Sequence, residues 1–278
     1  MAKFLAFAGA VVFGAADFLG GLASRRWAAI PVVLVSQTVG GVLLLFIMLV
    51  LGDPFPLRDF AIGAIAGVLG FGALIVFFRA LEGGVMSIVA PTTSAVAGLL
   101  PVTAGLILFG EQPGPFGIVG AAIALIAIVL LSTSETANQS ALTNRQSLIL
   151  AIIAGAGFGS FFVVIGQTEI SSGLWPLAGA RAVSIPVGIA LLMATGSGQP
   201  RNGAIRIAIF SGVLDMAGNI LTLLALQRGL LSLIGVLASL YPASTVILAR
   251  IVLHEDMTRK QLSGIVLALV GVALISTA

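Results

Sequence analysis

Cysteine is missing from the 278-residue chain, which excludes disulfides, thiolate nucleophiles and Cys-ligated metal sites. Histidine occurs once, at His254, and one imidazole cannot build a His-based metal cluster. Neither a metal nor any other cofactor is expected. Charge is scarce as well: 8% of residues are charged, against roughly 25% in an average soluble domain. No Gly-x-x-x-x-Gly-Lys-Ser/Thr run is present, so direct ATP drive within this chain is not expected. Polar segments are short, and the only sizeable polar connection is Thr133 to Gln146. Little chain is left for a soluble domain.

What the chain does have is apolar length. Hydrophobic residues make up 59% of it, in continuous runs at about 4–24, 29–51, 60–80, 85–109, 116–132, 147–168, 174–195, 204–226, 230–253 and 261–277. A hydrocarbon core about 30 Å thick takes roughly 20 helical residues. The runs do not alternate in polarity, so helices are expected and a barrel is not. The first run follows Met1-Ala2-Lys3 as a signal peptide's would, but it has a counterpart after Ser147 and reads as a retained first span.

The chain also repeats itself. Shifted by about 145 residues, Gly67-Val68-Leu69-Gly70 falls on Gly212-Val213-Leu214-Asp215, Pro31 on Pro176, Phe13-Gly14 on Phe158-Gly159 and Ala80-Leu81 on Ala225-Leu226. After Ser87 and Ser232 the shift becomes about 144, pairing Glu111 with Glu255 and Gly120 with Gly264. Five spans per half is an odd number, so the second half enters the membrane from the side opposite to the first. The expected fold is an all-α membrane protein of ten transmembrane helices in two inverted five-helix repeats. Its expected divisions are 1–134, a polar linker 135–146, and 147–278. With both repeats on one chain, a monomer is expected.

The net charge of +3 and a pI near 10.2 could suggest nucleic acid. The basic residues are scattered among loops, however, so a nucleic-acid partner is not expected. Their distribution orients the chain instead. Lys3, Arg58 and Arg228 lie on the side of the N-terminus, while Arg25, Arg26, Arg79, Arg145, Arg201, Arg206, Arg259 and Lys260 lie on the other. By the positive-inside rule the second side is cytoplasmic and both chain ends face outward.

Polar and helix-breaking residues inside the spans mark where function is to be sought. Gly63 with Gly67, Ala151 with Gly155 and Gly159, and Gly117 with Ala121 form small-residue stripes that suit close helix packing. Pro91 lies beside Thr92, Thr93 and Ser94, and Pro242 beside Ser239, Tyr241 and Ser244, in repeat-equivalent spans. A proline frees a carbonyl, tolerated at membrane depth where hydroxyls or a cavity satisfy it. An ionisable residue near the bilayer centre costs about 2.5–3.5 kcal/mol even on insertion scales. Asp17, Arg181 and Asp215 are such residues, and helix rise allows Arg181 to reach Asp215. Asn219 lies one turn beyond Asp215 on the same face. Glu111 and Glu255 fall at span ends and read as fixing helix ends. Trp27 and Trp175 read as interfacial anchors. The first, third, fourth, sixth, eighth and ninth spans are expected to enclose a cavity, with the fifth and tenth outside it.

Carried by FRALEGGVMSIVAP (78–91) with LLALQRGLLSLIGV (223–236), LILFGE (106–111) with RIVLHE (250–255), and GAAIALIAIVLLST (120–133) with GIVLALVGVALIST (264–277), the chain resembles the drug/metabolite transporter superfamily, EamA type. The resemblance implies a transporter of amino acids, metabolites, nucleotide sugars or drugs. It also implies both termini in the cytoplasm, against the charge count. Small multidrug exporters of that superfamily are similar in placing an acidic residue in the first span, where it exchanges protons for cations; here that residue is Asp17, but its repeat equivalent is Phe162.

The expected function is therefore secondary-active transport, as export of a small organic solute such as an amino acid, by alternating access in the inner membrane. Arg181, Asp215, Asn219, Tyr241, Thr92, Thr93 and Ser94 are the expected substrate-binding residues, with Arg181 meeting a carboxylate and Asp215 an ammonium. Asp17 is the expected proton-coupling residue. The alternatives are proton-coupled cation or multidrug efflux and flipping of a lipid-linked sugar or phosphate. An enzyme is not expected: an intramembrane aspartyl protease would need a pattern resembling Gly-x-Gly-Asp, and neither aspartate is preceded directly by glycine.

Overall fold

A computed structural model describes residues 1–24, 26–83, 86–131, 145–196, 198–201, 203–253 and 258–277. Arg25, the interior of the 135–146 linker, His254 and Glu255 lie outside the described residues. Every described regular element is helical: α1 Ala2–Ser24, α2 Ala29–Leu51, α3 Leu57–Gly83, α4 Met86–Thr103, α5 Pro115–Leu131, α6 Arg145–Ile165, α7 Trp175–Thr195, α8 Ala204–Leu226, α9 Leu231–Ala238, α10 Tyr241–Leu253 and α11 Arg259–Thr277. Eight helical stretches are long and apolar enough to cross a membrane, with two shorter apolar ones at Thr92–Leu108 and Pro115–Leu131. The helical state follows from the solvent, since lipid offers no partner for a backbone N–H or C=O outside its own helix. Side chains such as Leu49 and Val50, 81% and 86% exposed on α2, would form an untenable patch in water and fit a lipid-facing surface.

Helix ends and interruptions follow local chemistry. Gly52 closes α2 at φ 67°, donating its N–H to the Met48 carbonyl, a left-handed cap that glycine adopts without a Cβ penalty. Pro242 divides the ninth span into α9 and α10, and Ser239 Oγ returns a 2.8 Å hydrogen bond to the Gly235 carbonyl at the break. In the fourth span Pro101 lies in α4, and the chain then widens into a π-turn over Ala104–Leu108. The two equivalent spans thus bend by different devices.

The halves interleave. α1 packs on α8 as its counterpart α6 packs on α3; α2 packs on α8 as α7 packs on α3. Likewise α1 meets α9 and α10 as α6 meets α4, while the equivalents α2–α7, α4–α9 and α5–α11 pair with each other. Neighbouring helices within one half touch far less. Exchanging the halves therefore reproduces the packing, the pattern of an approximate two-fold relation.

Close approach between halves depends on small residues. At the α3–α7 crossing a Cβ on Gly63 would overlap the Pro176 carbonyl, and one on Gly179 would overlap the Phe60 carbonyl. Backbone contact of this kind is what small residues permit in lipid, where hydrophobic association supplies no drive.

The tryptophans, expected as interfacial anchors, bond across the halves. Trp27 Nε1–H donates to the Gly198 carbonyl at 3.2 Å, and Trp175 Nε1–H to the Asp53 carbonyl at 3.1 Å. Asp53 and Gly198 are related by the repeat shift, so each indole ties the start of one half's second span to the matching loop of the other half. Glu111, expected at a helix end, caps a helix of the other half: its carboxylate accepts the N–H groups of Leu231 at 2.6 Å and Ser232 at 2.9 Å at the start of α9. These orphan N–H groups attract a negative charge. On the same side of the molecule, Asp59 accepts the Glu169 N–H at 2.8 Å and lies 3.0 Å from Arg58, and Gln227 donates to the Glu169 carbonyl at 2.9 Å.

Candidate functional site

A cavity of about 110 Å³ lies between the interleaved halves. Its polar lining comes from α1, α2, α7 and α8: Asp17, Gln37, Arg181, Ser184, Asp215 and Asn219. Its apolar lining comes largely from α3 and α6: Phe71, Leu74, Phe77, Phe158, Phe161 and Phe162. Phe13 of α1 and Tyr241 of α10 complete it. The cavity therefore draws on the second and seventh spans as well as those expected. Arg181 belongs to the seventh, and α2 enters because Gln37 faces it there. α5 and α11, packed on each other, contribute nothing to the lining.

Arg181 and Asp215 meet as the sequence allowed. Arg181 Nη2 lies 2.8 Å from Asp215 Oδ2, with side chains 12% and 25% exposed. Arg181 Nη1 donates to Gln37 Oε1, which also accepts Ser184 Oγ–H at 3.0 Å. Arg181 Nε is buried without a hydrogen-bond partner. Asn219 Nδ2 donates to the Asp215 backbone carbonyl at 2.8 Å, one turn back along α8.

Asp17 stands apart from this network. Its charge feels Asp215 and bears on Tyr241, but no ion pair or hydrogen bond of its carboxylate occurs among the described residues. Gly14 lets α1 lie against α10, where a Cβ would overlap Ser244 Oγ and the Tyr241 carbonyl. That crossing brings Asp17 beside Tyr241. Ser94 hydrogen-bonds the Tyr241 side chain.

The hydroxyl run divides. Thr93 is fully buried and donates from Oγ1 to the Ala151 carbonyl at 3.1 Å, a link between α4 and α6. Ser94 is buried and bonds the side chain of Tyr241, a lining residue. None of Thr92, Thr93 and Ser94 is among the lining residues, while Asp17, Arg181, Asp215, Asn219 and Tyr241 all are.

Sequence reasoning passed over Gln37, Ser184 and the phenylalanines. A membrane-depth amide at Gln37 and a serine three residues from Arg181 on one helical face were legible signals. The rings were not, because phenylalanine serves lipid-facing surfaces equally well.

Two repeats of apolar helices around a cavity lined by charged residues define a multi-pass helical membrane protein with an internal cavity. The EamA-like transporter family matches residues 1–133 and 145–277. The chain belongs to that family, which makes it a membrane transporter of the drug/metabolite superfamily. A solved structure described only as a protein superposes with a TM-score of 0.81 at 18% identity, covering 99% of this chain and 96% of the other; that likeness concerns the fold. An uncharacterized protein of Methanocaldococcus jannaschii is 42% identical over 69 residues, 25% of this chain. The chain spans 50% of that curated relative's length in the match.

Proposed function

We propose that this chain is a secondary-active transporter of the cell's inner membrane, exporting a small organic solute that carries an amino group, amino acids and related metabolites among them. In this reading the two shorter apolar stretches span as well as the eight long ones, α9 and α10 together counting as one of the eight, giving ten crossings in two inverted halves divided at the polar 135–146 linker. The observation that carries it is the gathering of Asp17, Arg181 and Asp215 on one cavity between the halves. A buried ion pair is often replaceable by apolar side chains at no loss of stability. Packing alone therefore gives no reason to keep three charges at that depth.

The packing supports alternating access. The halves meet through equivalent helix pairs, so a rocking of one against the other can close one mouth and open its counterpart. On the side bearing Glu111, Asp59 and Glu169, hydrogen bonds between the halves would have to part for the cavity to open there. Asp17 is the coupling residue of this scheme. An unpaired carboxylate in the cavity can hold a proton or the solute's positive group, and exchange of one for the other links solute flux to a pH gradient.

A phosphate-bearing lipid-linked substrate fits less well, since Arg181, the single cation lining the cavity among the described residues, is already matched by Asp215. The test is flux in sealed proteoliposomes over a panel of amino acids, organic amines and lipid-linked sugars, with and without a pH gradient. Accumulation of an amine-bearing solute driven by the gradient is expected. Absence of gradient-dependent flux for every amine-bearing solute would sink the proposal.

A further inference from the structure

We propose that a second cavity, between the start of α2, the far part of α3 and the end of α7, seats an anionic phospholipid, its phosphate on Arg79 and its glycerol and upper acyl chain against α2 and α3. This goes beyond transport and does not depend on it.

The cavity measures about 180 Å³ and shares no lining residue with the central one. Its floor is apolar, with Pro31 and Val33 buried and Ile30 and Ile75 half-buried, while Arg79, Thr195 and Gly196 are exposed at its rim. Three span ends surround it. The membrane-long stretch of α2 begins at Ala29, that of α7 ends at Thr195, and Arg79 lies just past the Leu57–Phe77 stretch of α3. The rim is therefore at the level of a bilayer's headgroups, and Val33 and Ile75, about one helical turn further in, are at the start of its hydrocarbon. Hydrogen bonds fix the neighbouring loops, from Trp27 Nε1–H to the Gly198 carbonyl and from the Arg201 N–H to the Arg26 carbonyl at 3.1 Å.

The repeat shows that this hollow is particular to one side. The shift of about 145 residues relates Ile30 to Trp175 and Arg79 to Leu224. On the other side the Trp175 ring packs on Phe55 and Phe60, with centroids 4.8 and 6.4 Å away, and Leu224 packs against the core. Phe55 and Phe60 correspond in turn to Pro200 and Ile205. One side thus has a cluster of rings and a leucine where the other has an opening and a guanidinium.

Charge selects the occupant. No ion pair of Arg79 occurs among the described residues, and no acidic residue lines the cavity. A guanidinium at headgroup depth meets a phosphate with two parallel hydrogen bonds. The sequence assigns most basic residues to this same side, the one that faces anionic lipid in the positive-inside arrangement, and basic pockets between membrane helices there suit anionic headgroups. A free phosphate ester would leave the apolar floor uncovered, whereas a lipid covers floor and rim together.

The test is native mass spectrometry of the purified full chain in detergent, titrated with phosphatidylglycerol, phosphatidylcholine or glycerol 1-phosphate. Phosphatidylglycerol is expected to bind at least fivefold more tightly than phosphatidylcholine. Arg79→Gln should remove about fivefold of that affinity, the factor that one basic residue near an anionic surface supplies. Ile30→Trp, which copies the residue at the equivalent position 175, should fill the cavity and weaken binding at least threefold with Arg79 intact. Arg259→Gln, on the same side but outside the cavity, and Glu82→Gln, three residues beyond Arg79, should bind at least as well as the parent. Equal binding of the two lipids overturns the site, as does an unchanged affinity in Arg79→Gln. An equal loss in Arg259→Gln overturns it in favour of general surface charge, and tight binding of glycerol 1-phosphate overturns the lipid assignment. Should Arg79→Gln not fold, an unchanged affinity in Ile30→Trp overturns it.

Discussion

Among single residues, Arg181 and Asp215 illustrate how one contact admits two meanings. A zwitterion site needs both charges, so a double neutralisation would abolish binding even if the protein folds. A pair that chiefly neutralises itself gives the opposite outcome. Asp215→Asn alone strands the Arg181 charge in the cavity wall, and breaking a buried pair in this way costs about 3–5 kcal/mol; a clear drop in melting temperature is expected. Arg181→Gln combined with Asp215→Asn leaves the net charge of the lining unchanged, because one charge of each sign is removed. The double variant should recover most of the lost stability and keep gradient-driven uptake of an amine-bearing solute within about threefold of the parent. Loss of that uptake in a folded double variant would return Arg181 and Asp215 to the binding site proper.

Between helices, the crossing of α3 and α7 is set by the absence of side chains. Gly63 and Gly67 lie against the backbone at Pro176 and Ala180. A larger residue there must push two helices apart, and overpacking of this kind costs about 1–3 kcal/mol or more. Gly67→Val should therefore lower the melting temperature of the purified protein. It should also disturb solute binding, because Gly67 and Ala180 both line the cavity. Gly72 lies in the same helix, five residues further on, where an added methyl group would meet nothing within 4 Å. Gly72→Ala should be neutral or stabilising by up to about 1 kcal/mol, the helix-propensity difference. Comparable melting temperatures for Gly67→Val and Gly72→Ala would contradict the packing account.

Across the molecule as a whole, the two repeats are units of sequence and not of packing. Most helix contacts of one half are with the other, and Trp27, Trp175 and Glu111 each bond across the division. Neither half covers its own inner faces. A chain ending at residue 134, or one beginning at 145, is expected to aggregate or self-associate when made alone. The two made together should assemble into a one-to-one complex, read by co-purification through a tag on one half and by size-exclusion chromatography. A monodisperse, thermally stable monomer from either half would refute the interleaved core.

The class of protein and its periodicity are legible in the order of residues alone. Long apolar runs leave helices in lipid as the stable outcome, and the shift of about 145 residues places equivalent positions in register, because both are local or translational properties of the chain. Asp17, Arg181, Asp215, Asn219 and Tyr241 stand out in the same way, since polar groups at membrane depth are conspicuous in one dimension. The packed fold was needed to establish that Arg181 is braced by Gln37, that Thr93 joins helices instead of lining the cavity, and that Asp17 has no ion-pair partner among the described residues. Those outcomes depend on which helices cross and at what depth. The aromatic wall was hidden for the same reason: a phenylalanine facing lipid and one facing a cavity are alike in sequence, and Gly70 acquires its meaning only when Phe161 arrives from the other half.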